Sequence, residues 1–401
     1  MLPLPPAPRS SEQESWRFRS EELTTPNTLA ELPLRAELFS VAQLQQHARS
    51  LAGWHQLAPH SRAHDDSLLA RLDANENALR EAYALISDVV KRGQKITPAA
   101  EWFLDNYHLV EEQVRTARRH LPRGYSRELP RLANGPSSGT PRVYDLAHEL
   151  ISHSHGRVDR GRLTAFIEPY QETQSLRIGE LWAFPIMLRL ALLENLRRVV
   201  ANISDGRRER ERAIVWSERL LAVGDEDPSR VVLVLAEIVR EDVELTEPFI
   251  SELAARLRGH GAGLAFATAW LEQYLTDHGQ TLDHVLARVS QDQAAAQVAI
   301  SNSIGSLRTL GAIDWREFVE DVSVLHRELL GDPAGVYVRM DFATRDRYRH
   351  AVESIARASG RAEKEVAGLA IELAGTASPP ADHVGTVLIG ARRGELARAA
   401  N

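Results

Sequence analysis

The chain reads as an all-α protein, an irregular multi-helix array with solenoid-like helix pairs behind a flexible N-terminal arm. Three observations predict this. Apolar residues recur at spacings of three and four through most of the sequence, the period of an amphipathic helix. Ser, Thr, Asp, Gly and Pro punctuate those runs where helices would start and stop. Alternating strand patterns are almost absent: Val384 to Ile389 is the best candidate strand, and Gly335-Val336-Tyr337-Val338 is too short to matter.

Residues 1–33 are rich in proline with few apolar residues in any period, and are expected to form the arm. A helical domain is expected over residues 34–376, followed by a loose tail over residues 377–401. Ser40 suits the N-cap of a helix from Val41 to about Trp54. From about Asp66 to Arg92, the residues Leu68, Leu72, Asn75, Leu79, Ala82, Ile86 and Val89 make a heptad seam with one polar member, closed by Gly93. Thr97-Pro98 starts a helix running to about His120, with Trp102, Phe103, Leu109, Val110 and Val114 facing inward. Further helices fit residues 143–154, 159–173, 177–203, 208–223, 228–240, 247–258, 263–277, 282–309, 314–330, 342–358 and 361–374. Gly224, Asp227-Pro228, Gly331-Asp332-Pro333 and Gly360 lie among the breaks.

The segment from Ile178 to Val200 is apolar enough to resemble a membrane span, yet Arg189, Glu194 and Asn195 interrupt it. A mid-helix charge costs several kcal/mol in a bilayer. Ile178, Leu181, Trp182, Pro185, Leu188, Leu192, Leu196 and Val199 recur at helical spacing, which predicts a buried helix in a soluble body, with Trp182 and Leu192 in the core. No direct membrane span is expected, since no run of about 18 apolar residues occurs.

Hydrophobic residues make up 43% of the chain and charged residues 26%, enough apolar content for a sizeable core. The net charge of -7 argues against a nucleic-acid partner, which needs a basic footprint. The absence of cysteine excludes disulfides, thiolate catalysis and cysteine-bound zinc, and permits a reducing compartment.

Most motif-like stretches have a structural explanation. In His148-Glu149-Leu150-Ile151-Ser152-His153 the histidines are five apart, which turns one imidazole well away from the other, so no metal ligand is assigned. Asp225-Glu226-Asp227 precedes Pro228 between two helices and suits capping better than metal-diphosphate binding. Gln174-Ser175-Leu176-Arg177-Ile178 has Ile where an acceptor-site Q-x-x-R-W motif requires Trp. No catalytic or cofactor-binding residue is assigned. Two polar groups are singled out instead. Asn106, Glu180, Arg189, Glu194, Asn195 and Arg197 border apolar stripes and must find partners, with Arg189, Arg197 and Tyr107 as candidate partners of the buried amides and carboxylate. They are expected to form an internal network fixing helix register, the alternative being a ligand or docking site. Asp341, Arg345, Asp346, Tyr348 and Arg349 form an i/i+4 charge ladder for a solvated or inter-helix face, or for docking.

Several ordered blocks carry a resemblance. They include Arg35-Ala36-Glu37-Leu38-Phe39-Ser40, Ile96 to Asn106, Asn106 to Gln113, Leu121-Pro122-Arg123-Gly124-Tyr125, Pro141-Arg142-Val143-Tyr144, Ile178 to Arg198, Gly311 to Arg316 and Asp332 to His350. With these, the stretch from about Leu34 to Ile389 resembles the N-terminal region of bacterial cyclic β-1,2-glucan synthases. Asp145 to Glu149 and Arg160-Gly161-Arg162 depart from the usual blocks. The resemblance implies the non-catalytic, cytoplasmic helical region of a membrane-embedded synthase. UDP-glucose and a divalent metal are then implied for the parent enzyme and not for this chain, and the partners would be downstream glycosyltransferase and glycoside hydrolase domains. By itself the chain is not expected to transfer glucose. A free-standing helical interaction protein is the alternative.

Overall fold

The computed structural model describes residues 38–58, 67–122 and 124–401, so the arm expected over residues 1–33 lies outside the described residues. Among the described residues there are seventeen α-helices and no strand, only the isolated bridges Leu57–Leu132 and Arg131–Pro141. The all-α prediction holds.

Helix α1 spans Val41–Trp54 and starts in a capping box, in which the Ser40 hydroxyl accepts from the Gln43 amide while the Gln43 side chain accepts from the Ser40 amide. Helix α2, Ser67–Lys91, buries the predicted seam from Leu68 to Val89, with only Ala82 half-exposed. The single helix expected from Thr97 to His120 is two: α3, Pro98–Asp105, and α4, Tyr107–His120, broken at Asn106 (φ -109°, ψ 10°). The break redirects the chain and leaves Trp102 exposed instead of inward. Helices α5, Arg142–Ser152, and α6, Arg160–Gln171, follow.

Helix α7, Ile178–Glu226, is the spine. Two helices were expected here, but Ser204-Asp205-Gly206 does not stop the first. A mid-helix glycine costs only about 1 kcal/mol relative to alanine, and cores on both sides hold the chain helical. Its 49 residues reach about 74 Å at 1.5 Å per residue. The first half, through Val200, is buried nearly all round against α2, α4, α5 and α11 (Leu282–Ala312). Leu192 is fully buried as predicted, whereas Trp182 is only half-buried. No described helix is long and apolar enough to cross a membrane.

The second half of α7 builds a smaller core with α8, Val231–Arg240, α9, Glu247–Leu257, and α10, Ala265–Asp277; Ala213, Leu220, Leu235 and Phe249 lie at its centre. Asp225-Glu226-Asp227 does cap: the Asp227 carboxylate accepts from the Ser229 amide. The segment expected as one helix over 314–330 is α12, Trp315–Val322, and α13, Val324–Leu329, parted at Ser323, whose hydroxyl caps α13. Helices α14, Phe342–Ser359, and α15, Glu363–Gly375, complete the main core.

The C-terminal expectations need correction. Val384–Leu388 is helix α16, not a strand, and Arg393–Ala400 is helix α17. Val384, Val387, Leu388 and Leu396 are fully buried, so residues 384–400 pack into the main core instead of forming a loose tail. Val384, Val387 and Leu388 fall on one helical face, and Asp332 accepts from the Val384 amide at 2.8 Å to secure the helix start.

Candidate functional site

The polar sequence candidates each find partners, at separate helix junctions. Glu194 is buried on α7. Its Oε2 accepts from the Tyr144 hydroxyl of α5 at 2.5 Å, and its Oε1 accepts from Arg71 of α2 at 2.9 Å and Arg198 at 2.6 Å. Burial works to raise the Glu194 pKa, yet the two guanidinium groups and Tyr144 hold it at about 2. Burial also pushes the Tyr144 hydroxyl well above its usual range. These partners replace the expected Arg189 and Tyr107. Arg189 instead donates to Gln113 of α4 at 3.1 Å, its pKa lowered by burial, and Tyr107 stacks on Tyr83 at 4.1 Å. Asn195 donates to Ser303 of α11, and Arg197 is half-buried nearby. Asn106 accepts from Arg308 of α11 and donates to the Trp102 carbonyl, which seals the α3–α4 break.

Glu180 pairs with a residue outside the sequence candidates. Arg142, at the start of α5, donates to both Glu180 oxygens, and also to Gln174 and the Ser175 carbonyl. Both side chains are closed to solvent. No periodicity marks a contact between residues this far apart in the chain.

The ladder on α14 is an inter-helix face, with a missing centre supplied by Glu320 of α12. Arg345 donates to both Glu320 oxygens at 2.8 and 2.7 Å, and Arg349 donates to Glu320 at 2.9 Å and to Asp346 at 3.1 Å. Arg349 is fully buried beside the Phe342 ring. Asp341 is simply the N-cap of α14, accepting from the Thr344 amide. The Tyr348 hydroxyl meets His383 at 3.1 Å, and His383 contacts Asp332 at 3.0 Å, joining α14 to the segment before α16.

Between the start of α7, α14 and the turn at Tyr125–Glu128 lies an open cleft of about 880 Å³. Its lining includes two sequence candidates, Glu180 and Asp346, with Tyr125, Trp182, Phe342, Arg316 and Glu363. Trp182 and Phe342 meet edge to face. Burial pushes the Glu363 carboxyl up to about 7; one oxygen accepts from the Ile178 amide, and among the described residues the other has no hydrogen-bond partner. Aromatic faces beside carboxyl and guanidinium groups can take a polar, ring-shaped ligand or a partner segment.

A second cluster joins α1 to α5. His47 Nε2 lies 2.7 Å from Glu149 Oε2, and His153 Nε2 lies 3.4 Å from the same oxygen. Among the described residues this is the group whose ligand atoms could hold a metal ion. His148, which the sequence pairs with His153, is half-buried and lies outside this group, its pKa lowered mainly by desolvation. The missed signal was the i,i+4 pair Glu149/His153; nothing local identified His47.

No protein-family profile matches the chain. It is related in sequence to the cyclic β-(1,2)-glucan synthase NdvB of Rhizobium meliloti (strain 1021), 35% identical over 334 residues. The match covers 81% of this chain but 12% of that protein, so the chain spans only a small part of its curated relative. The resemblance read from the sequence blocks is thereby borne out.

Proposed function

We propose, taking the kinship with part of a cyclic β-1,2-glucan synthase as the premise, that this chain is the non-catalytic helical region of such a synthase. In this reading it lies on the cytoplasmic face of the membrane and supports or docks the UDP-glucose-dependent glucosyltransferase. The observation that carries the reading is the 35% identity sustained over 334 residues, 81% of the chain. The interior chemistry supports it: Glu180, Glu194 and Arg349 each clamp helices together through charged hydrogen bonds. UDP-glucose and the metal of transfer are assigned to the transferase and not to this chain. The cleft between α7 and α14 is the proposed docking wall.

The test is reassembly. The chain is expected to co-purify with the transferase segment of the same synthase and to raise its glucan synthesis. Absence of co-purification, together with synthesis unaffected by the chain, would overturn the proposal in favour of a free-standing interaction protein.

A further inference from the structure

We propose that His47, Glu149 and His153 form a binding site for a divalent transition-metal ion, with Zn²⁺ the preferred occupant, that staples α1 to α5. The inference stands on side-chain geometry alone and does not depend on the proposed function.

One ligand atom from each of the three residues lies within 4.8 Å of the other two, and Nε2 of each histidine faces the glutamate Oε2. A tetrahedral zinc with bonds of about 2.0–2.2 Å holds its ligand atoms roughly 3.3 Å apart. The His153–Glu149 separation of 3.4 Å already matches, and the His47–Glu149 separation of 2.7 Å needs only a small outward movement. Two imidazoles and one carboxylate are a recurring zinc set, and imidazole nitrogen selects zinc, cobalt or nickel over magnesium or calcium.

The rings are held in place before any ion arrives. Phe39 stacks on His153 with centroids 3.9 Å apart and planes 4° from parallel, and meets His47 edge-on at 5.2 Å. The Phe39 amide donates to the His153 carbonyl at 3.1 Å, which fixes the stack to the end of α5. Glu149 and His153 are one helical turn apart, so a single face presents both. The three side chains remain 15–22% exposed, enough for an ion to enter and for water to take a fourth position.

The competing reading is a metal-free hydrogen-bonded cluster, and metal titration separates the two. Protein without a histidine tag, stripped with chelator, would be titrated with Zn²⁺ by calorimetry and with Co²⁺ by visible absorption. One zinc per chain at micromolar affinity or tighter is expected, with the absorption of four-coordinate cobalt and no response to Mg²⁺. H153Q and E149Q, checked for folding by circular dichroism, should each weaken binding at least tenfold; H47Q serves if either misfolds. No zinc bound by the wild type, or binding unchanged in a folded ligand variant, would overturn the site.

Discussion

Arg142 and Glu180 meet in a two-bond ion pair, Nε to Oε1 at 2.9 Å and Nη2 to Oε2 at 2.5 Å, with both side chains closed to water. The pair ties the first turn of α5 to the first turn of the α7 spine. Breaking a buried pair strands a charge and costs about 3–5 kcal/mol. Glu180→Ala should therefore lower unfolding stability by that amount in a denaturant titration. The double variant R142M/E180L should recover most of the loss, and a single-variant loss below about 1 kcal/mol would contradict the clamp.

Glu194 gives a pH signature. Its folded pKa of about 2 lies below the ordinary carboxylate value of 4.5. Its stabilisation is thus fully present above pH 4.5 and is lost as the pH falls from 4.5 towards 2. The shift corresponds to roughly 3 kcal/mol. The stability advantage of wild type over Glu194→Gln should shrink across that window, and a constant difference between pH 6 and pH 3 would refute the assignment.

Glu363 behaves with the opposite sign. Its folded pKa of about 7 lies above 4.5, so the folded state holds a proton that the unfolded chain has released. Its contribution to stability declines as the pH rises from 4.5 to 7, by roughly 3 kcal/mol. Glu363→Gln should become more stable relative to wild type as the pH increases from 5 to 8. Parallel pH profiles for the two proteins would rule this out.

Leu192 is fully buried in the first half of the spine, so Leu192→Ala should cost about 2–5 kcal/mol through lost burial and the cavity left behind. A variant that unfolds at the wild-type denaturant midpoint would show that this face of α7 is not core.

At the far end, a Cβ on Gly224 would lie 2.6 Å from the Leu264 Cδ2 and 3.3 Å from the Gly263 carbonyl. Gly224→Ala should overpack the smaller core by about 1–3 kcal/mol. Hydrogen exchange should quicken in α8 to α10 while the amides of α5 and the first half of α7 keep their protection. Uniform loss across the chain would mean that the two cores unfold as one.

Much of the fold was legible because its determinants are local. The seam from Leu68 to Val89, the Ser40 and Thr97 caps and the apolar stripe from Ile178 to Val199 each lie within a few turns of helix, and the structure reproduces them. Errors fell where local signals were weak. Val384 to Leu388 is too short for its period to distinguish strand from helix. Gly206 is a mild breaker that surrounding helix overrode.

The sequence by itself determined which residues are helical, which faces are apolar and which polar groups would need partners. Only the tertiary structure decided who those partners are. Arg142 reaches Glu180, Tyr144 reaches Glu194, Glu320 collects Arg345 and Arg349, and His47 arrives beside Glu149. A helix fixes geometry over one or two turns through its own backbone hydrogen bonds. Pairing across tens to a hundred residues is instead set by how whole helices pack, and no local period encodes that.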